Sequence, residues 1–504
     1  MEEWIGMALG SKTVLFALAI LLAAQGIAQA KGVQSGQWSG SKPAEAKAFP
    51  EIYTEVAGVL GFRGGGDRSA PSYGTVEMQT YRPAIAWEKK TKSSSWGGGA
   101  GWTGQPAIVQ WQPEVLASMN VKSKFRSKPN FTEVIYASLD GYVYFLELET
   151  GEETRSPIRV GNPIKGSVSV DARGYPLLYV GEGIPENGTI GFNLYSLIDQ
   201  KRLLRVNGID SFAYRRWGAF DGSALFNRYD DTLTVGGENG LLYRVKLNTA
   251  FDPQRKTLSI KPVVSKFRYR ISGNNYQGIE NSLAAFGDLV YFADNGGSVL
   301  AVNVRTNEAV WALPALDDTD ATIVVEAEDG IPYLYTGTEV DKQGRKGYAY
   351  LRKINGLTGQ VVWQMKYECL SVVGGDHPVN GGVLATPVVG KGNISDLVVF
   401  TIARYGKLGE GLMVALDKKT GKETWRLPMK RYAWSSPTDI YDAKGNGYLL
   451  QADSGGVVSV VSARDGRVRG SMTVGSNIEA SPAVFGNYAV VASRGGKLYG
   501  IKLE

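Results

Sequence analysis

One four-residue pattern recurs eight times along this chain, always leading into an apolar run and always with a small second residue. The copies are Thr103-Gly104-Gln105-Pro106, Lys165-Gly166-Ser167-Val168, Asp221-Gly222-Ser223-Ala224, Glu280-Asn281-Ser282-Leu283, Asp320-Ala321-Thr322-Ile323, Leu384-Ala385-Thr386-Pro387, Trp434-Ser435-Ser436-Pro437 and Glu479-Ala480-Ser481-Pro482. Self-similarity at about 40–50 residues or a little more marks a propeller, in which one four-stranded sheet makes one blade. Blades converge on a central axis, so their innermost strands are crowded, and a small residue is what fits there. The architecture is legible from this pattern alone. Function is not, because a propeller is a platform for many unrelated activities.

A second repeat runs in phase with the first. Thr358-Gly359 precedes Trp363, Thr420-Gly421 precedes Trp425, and a variant runs from Thr306-Asn307 to Trp311. Degenerate copies stand at Thr150-Gly151, Asp199-Gln200, Asn248-Thr249 and Asp465-Gly466. A polar residue followed by glycine makes a hairpin turn between the third and fourth strands, and the aromatic buries on the strand that follows. Alternating strands such as Val143–Leu146 and Leu412–Leu416 precede the turns. After Glu479 the chain makes two more strand-like runs, ending in Lys497–Ile501, and lacks a fourth. Pro83–Lys89 has the fourth-strand pattern but follows no blade. Pairing the two closes the ring and removes an open sheet edge. An all-β fold of eight blades, closed by an N-terminal strand, is expected over residues 81–504. Seven blades is the alternative if one degenerate repeat is a decorated loop.

Residues 1–30 read as a signal peptide: Lys12, an apolar run from Val14 to Ala24, then Ala28-Gln29-Ala30 as a small-x-small cleavage pattern. No later stretch reaches the length of apolar sequence that a spanning helix needs. Residues 31–80 read as a linker and strap, with a polar tether over Gly32–Ala48 and an irregular segment, Tyr53–Tyr73, lying against the propeller. The single cysteine, Cys369, is far from the cleavage site, which argues against a lipoprotein and rules out an internal disulfide. A periplasmic or extracellular location follows. The formal charge of +6 is spread along the chain, so nucleic acid is not the expected partner.

The hairpin repeat, strongest at Val414-Ala415-Leu416-Asp417-Lys418-Lys419-Thr420-Gly421-Lys422-Glu423-Thr424-Trp425, resembles the pyrroloquinoline-quinone (PQQ) repeat family of β-propellers. The resemblance covers roughly Ala84 to Glu504, and Phe62-Arg63-Gly64 is similar to the segment before the first blade in many exported members. The family includes quinoprotein alcohol dehydrogenases, the non-catalytic scaffold lipoprotein of the outer-membrane barrel-assembly machinery, and uncharacterised exported propellers. In organisation this chain is most similar to the last, non-catalytic group. The dehydrogenase branch implies an adjacent cysteine pair over the quinone, which one cysteine cannot supply. It also implies a catalytic Asp with a metal held by Glu, Asn and Asp side chains, and these cannot be matched residue by residue. Haem attachment through Cys-x-x-Cys-His is absent. PQQ is therefore not expected as a cofactor, and the chain leans away from being an enzyme.

Other catalytic patterns fail too. The single histidine, His377, sits in a loop with no nucleophile in view and reads as a hydrogen-bonded loop residue. Cys369 reads as a buried, inert thiol. Gly99-Ala100-Gly101-Trp102-Thr103-Gly104 fits a dinucleotide fingerprint only in letters, because a β-strand follows it rather than a helix. Asp442–Gly447 is a hairpin turn without calcium-loop spacing.

One constellation survives. The first position of the lead-in reads Thr103, Lys165, Asp221, Glu280, Asp320, Leu384, Trp434, Glu479 around the ring. Equivalent positions approach one another at the channel mouth whatever their sequence distance. Crowded carboxylates repel unless a cation, a proton or a basic partner sits among them. Asp221, Glu280 and Asp320 would suit Ca²⁺ through hard oxygen ligands. Lys165, pairing with a neighbour such as Asp221, is the competing explanation. Trp102, Trp217 and Trp434 lie near the same mouth with Arg215, Arg216 and Tyr432, a composition found at interface hot spots and sugar-stacking platforms. The expected ligand-binding set is thus Lys165, Asp221, Glu280, Asp320, Glu479, Trp102, Trp217 and Trp434, with no catalytic residue. The expected function is an exported, non-enzymatic scaffold for a protein or envelope polymer. The alternatives are a cation- or small-molecule-binding propeller, conceivably PQQ-dehydrogenase-like, and a carbohydrate-binding module.

Overall fold

Eight antiparallel sheets stand around one axis in the computed structural model, which describes residues 32–40, 46–101, 104–374 and 379–504. The signal-peptide segment, Trp102, Thr103 and His377 lie outside the described residues. The innermost strands are Ala107–Gln110, Ser169–Val170, Leu225–Asn227, Ala284–Phe286, Val324–Glu328, Val388–Val389, Thr438–Tyr441 and Ala483–Phe485, for blades 1 to 8 in that order. Each follows one copy of the lead-in. The eight-bladed count holds and the seven-bladed alternative falls. Two short helices, Pro113–Ser118 and Ser123–Arg126, are inserted after the inner strand of blade 1.

The last blade is completed from the other end of the chain. Pro83–Lys90 pairs antiparallel with Lys497–Leu503, with Trp87 opposite Gly500 and Lys89 opposite Leu498. The outer-strand tryptophans then couple blades. Trp87 Nε1 donates to Leu148 O at 2.7 Å, Trp311 to Gly356 O at 2.8 Å, Trp363 to Lys418 O at 2.9 Å and Trp425 to Ala463 O at 3.1 Å, each in the following blade. The hairpin glycine of that blade lies under the indole. A Cβ on Gly151 would fall 2.5 Å from Trp87, and one on Gly359 2.8 Å from Trp311. Both glycines have φ near +70° (68° and 72°), so turn geometry and inter-blade contact demand glycine together.

At the axis the lead-in does more than fit. Its third residue forms a belt in which the backbone N–H of six of the eight lead-ins donates to the hydroxyl of the same position one blade on. Ser223 N reaches Ser282 Oγ at 2.8 Å, Ser282 N reaches Thr322 Oγ1 at 3.0 Å, and Thr322 N reaches Thr386 Oγ1 at 3.1 Å. Thr386 N continues to Ser436 Oγ and Ser436 N to Ser481 Oγ, both at 3.0 Å. Ser481 N then donates to Gly104 O, and Gln105 N to Ser167 Oγ, also at 3.0 Å. The small second residue is required at the closest approaches: a Cβ on Gly166 would lie 2.0 Å from Asp221 O.

The segment before the first blade closes the opposite end of the channel and touches every blade. Its carbonyls accept from inner-strand amides: Ala57 O from Gln110, Leu60 O from Val170, Gly66 O from Ala285, Asp67 O from Val325 and Pro71 O from Val484. Tyr53 Oη accepts from Phe226 N, and Lys391 Nζ donates to Ser69 O. Two fully buried arginines complete the seal. Arg68 donates to Leu283 O, Phe62 O and Ser223 O at 2.7–2.9 Å, while Arg63 donates to Arg68 O and Pro437 O and faces Asp439 at 3.7 Å. Burial pulls both guanidinium pKa values down to about 10, partly offset for Arg63 by Asp439 and for Arg68 by Tyr53, so both stay charged at neutral pH. Upstream, Val33–Ser39 differs from the free polar tether read in the sequence. It pairs antiparallel with the outer strand of blade 3, Val263–Ile271, whose edge is otherwise open, and Trp38 packs on Phe267.

Arg68→Met keeps the stem but leaves three buried carbonyls without a donor. It should cost about 3–5 kcal/mol, since each buried acceptor left without its donor costs about 1–3 kcal/mol and the loss of a buried charge offsets part of the sum. Urea unfolding midpoints check this. Arg255→Met, at an exposed hairpin, should stay within about 0.5 kcal/mol of the native chain.

Candidate functional site

From blade 2 to blade 8, the first residue of the lead-in lies at the end of the channel away from the strap. Two carboxylate groups assemble there, and both draw on residues outside the lead-ins. In the first, Lys165 of blade 2 reaches across to Asp221 of blade 3 in direct ion-pair contact, and lies 3.4 Å from Glu280 and 3.9 Å from Glu238. Oxygens of Asp221, Glu238 and Glu280 all lie within 4.8 Å of one another, and all three residues are buried. Gly183 leaves room for this pair, since a Cβ there would meet Lys165 Cγ at 2.8 Å and Asp221 Oδ1 at 2.9 Å. In the second, oxygens of Asp318, Asp320 and Glu339 converge within the same distance. Asn295 bridges the groups, donating to Glu280 at 3.0 Å and Asp318 at 3.5 Å, while Arg215 donates to Asn295 Oδ1 at 2.7 Å.

The two groups differ electrostatically. Burial opposes the charge of Lys165, but Asp221, Glu280 and Glu238 outweigh it and raise the ammonium pKa well above the usual lysine value. Glu280 is held below its ordinary range because Lys165, Asn295 and Arg215 overcome its burial. Burial, only partly countered by Lys165, pushes Asp221 up to about 6, and burial with repulsion from Glu280 raises Glu238 far above its usual range. In the second group no lysine sits at the centre. Burial first, then mutual repulsion, raises Asp318, Asp320 and Glu339 well above ordinary carboxylate values. Glu339 accepts a hydrogen bond from Asn380 at 2.9 Å and shares a carboxyl–carboxyl hydrogen bond with Asp320.

The residues read as a calcium set are thereby divided. Asp221 and Glu280 face Lys165, whereas Asp320 faces Asp318 and Glu339. Glu479 stands apart, 3.7 Å from Arg494 and accepting from Asn477. Trp434 packs against Tyr432 in blade 7, and Trp217 stands 38% exposed on the connection from blade 2 to blade 3. Glu238 and Glu339 were missed because they follow the second strand of their blades. The signal was available, in acidic residues at that position in Asp140, Glu182, Glu238, Asp294, Glu339 and Asp453. Cys369 is buried, donates to Tyr367 O at 3.5 Å, and has its thiol pKa raised by burial to about 12, as suits an inert thiol. Between the carboxylates and Phe62 of the strap the axis holds a cavity of about 10 Å³, room for roughly one water. In the first carboxylate group the place a metal ion would take is filled by the Lys165 ammonium.

Ring, lead-ins and tryptophan hairpins give the chain the architecture of a PQQ-like repeat β-propeller, and it is similar to proteins of that kind. Outer membrane protein assembly factor BamB of Burkholderia pseudomallei (strain K96243) is 28% identical over 213 residues, 41% of this chain and 47% of that protein. The chain thus matches about half the length of that curated relative. No protein-family model matches. Among solved structures, BamB from Moraxella catarrhalis aligns with a TM-score of 0.50 at 17% identity, over 73% of this chain and 93% of that one. Quinohemoprotein alcohol dehydrogenase ADHIIG from Pseudomonas putida HK5 aligns at 0.59 and 13% identity, and the Comamonas testosteroni enzyme at 0.57 and 11%. Each of these two covers 89% of this chain and 80% of its own. At such identities the structural likenesses speak for the fold alone.

The raised pKa of Asp320 has a definite consequence. A carboxyl group whose folded pKa is raised contributes stability below its unfolded value, about 4, and loses it as pH rises through the folded value. In chelator, Asp320→Asn should therefore melt above the native chain at pH 8 and match it near pH 4. A lower melting point at pH 8 would contradict this account.

Proposed function

We propose that this chain is an exported, non-enzymatic propeller that holds a protein partner against its mouth face, in the assembly of outer-membrane proteins. One observation carries the reading: exposed aromatics on that face are paired with cations. The Arg270 and Arg268 guanidiniums lie 3.8 and 4.8 Å from the centre of the Tyr214 ring; Lys342 lies over Tyr276 at 4.8 Å and Lys366 over Tyr348 at 4.6 Å. Trp217 and Trp96 are exposed by 38% and 48%. Large rigid Tyr and Trp rings, with Arg beside them, are the side chains that anchor protein interfaces. The name of the Burkholderia relative, an outer membrane protein assembly factor, supports the choice of process.

Deleting the gene in an outer-membrane host should lower the amount of folded outer-membrane β-barrel protein. The native chain should restore it, and a Tyr214→Ala/Trp217→Ala/Tyr276→Ala variant of unchanged melting point should not. Full restoration by that variant would remove the mouth face from the function. No effect of deletion would remove the assembly role.

A second reading, a cation-binding module, is favoured by Glu339. Its carboxylate oxygens converge with those of Asp318 and Asp320 within 4.8 Å, a hard-oxygen set suited to Ca²⁺. Ca²⁺ added after chelation should then stabilise the chain by about 2.7 kcal/mol at a hundredfold excess over Kd, and Asp320→Asn should abolish the gain. An unchanged melting curve would dismiss it.

A further inference from the structure

We infer that Lys165 is the resident cation of the Asp221–Glu238–Glu280 group, occupying the position a divalent ion would take, so that removing its ammonium opens a divalent-cation site. The geometry is that of a coordination sphere built around nitrogen. Carboxylates from two blades, one lead-in residue from each and one residue after a second strand, bring oxygens within 4.8 Å of one another. The ammonium lies against all three, in contact with Asp221 and 3.4 and 3.9 Å from Glu280 and Glu238. Lys165 is only 8% exposed although it carries a long stem and a full charge. Lysine is almost never buried to this degree unless its charge is matched.

The surroundings are shaped for this pairing. Gly183 clears the space beside the lysine stem and Asp221, and the Asn295 amide fixes the second oxygen of Glu280. Oxygen-only donors at this separation are what Ca²⁺ takes, with water completing its shell. One lysine amine replaces that ion without needing it from solution, at the cost of one positive charge fewer. The inference is independent of the partner proposed for the mouth face, and concerns different carboxylates from those of the cation-binding reading.

The test uses the chain in an Asp320→Asn background, so that the second carboxylate group does not contribute. Lys165→Met is compared with Lys165→Arg in chelator and then over a Ca²⁺ titration. Thermal melting is followed together with Tb³⁺ luminescence sensitised by tryptophan. Lys165→Met should melt lower than its parent in chelator and recover as Ca²⁺ rises, with a saturable Tb³⁺ signal that Ca²⁺ displaces. Adding Glu238→Gln should abolish that signal, and Lys165→Arg should show neither effect. If Lys165→Met does not fold in chelator, refolding yield with and without Ca²⁺ gives the same answer. Three results would overturn the inference: Lys165→Met as stable as its parent in chelator, loss of stability that Ca²⁺ does not restore, or a Ca²⁺ response of the Lys165-containing parent that Glu238→Gln removes.

Discussion

The structure depends on how eight sheets are held together where they are closest. At the axis there is no room for side chains of ordinary size, yet every inner strand brings backbone amides that must be satisfied. The lead-in answers both demands within three residues: a small second residue allows the approach, and a third residue with a short hydroxyl accepts the amide of the blade before. Because each bond runs from one blade to the next, the belt is a ring of blade-to-blade links rather than a set of contacts within blades. The tryptophan hairpins repeat the same logic at the periphery, where Trp87, Trp311, Trp363 and Trp425 each cap the turn of the following blade. Inner and outer couplings fix the angle between neighbours, and eight such angles close the circle.

Closing the circle leaves two ends of a channel, and the chain treats them differently. The strap end is sealed by backbone and by two arginines that donate to five protein carbonyls, with Arg63 also facing the Asp439 carboxylate. Arginine suits this place because its planar set of donors serves several carbonyls at once and keeps its charge when buried. The mouth end is charged and imperfectly balanced. Blades 3, 4 and 5 contribute the carboxylates of this patch, and Lys165 of blade 2 reaches into it. In the first group Lys165 holds Glu280 below its ordinary range and only partly offsets the burial of Asp221, while Glu238 is raised; in the second, burial and repulsion, Glu280 included, raise Asp318, Asp320 and Glu339 together. Exposed Tyr214, Tyr276 and Tyr348, each beside Arg or Lys, stand on the same face, so this end combines an acidic centre with aromatic and cationic side chains.

Blade number, the crowded axis and the exchange of a strand between the two ends of the chain were determined by the sequence, because each depends on local period and on one missing piece. Small residues at the second position of Asp221-Gly222 or Lys165-Gly166, and alternation in runs such as Leu412–Leu416, are visible without coordinates. Tertiary structure alone decided which charges meet. Equivalent repeat positions are neighbours on a ring, but the repeat does not encode how deep a side chain sits or which way it points. Asp221 and Glu280 turn toward Lys165, Asp320 turns away toward Glu339, and Glu479 finds Arg494 instead. Glu238 and Glu339 come from the second strands, a separate register whose relation to the lead-ins exists only once the sheets have twisted. The docking of Val33–Ser39 on blade 3 belongs to the same class, since an open sheet edge is a property of the folded ring and not of the segment that covers it.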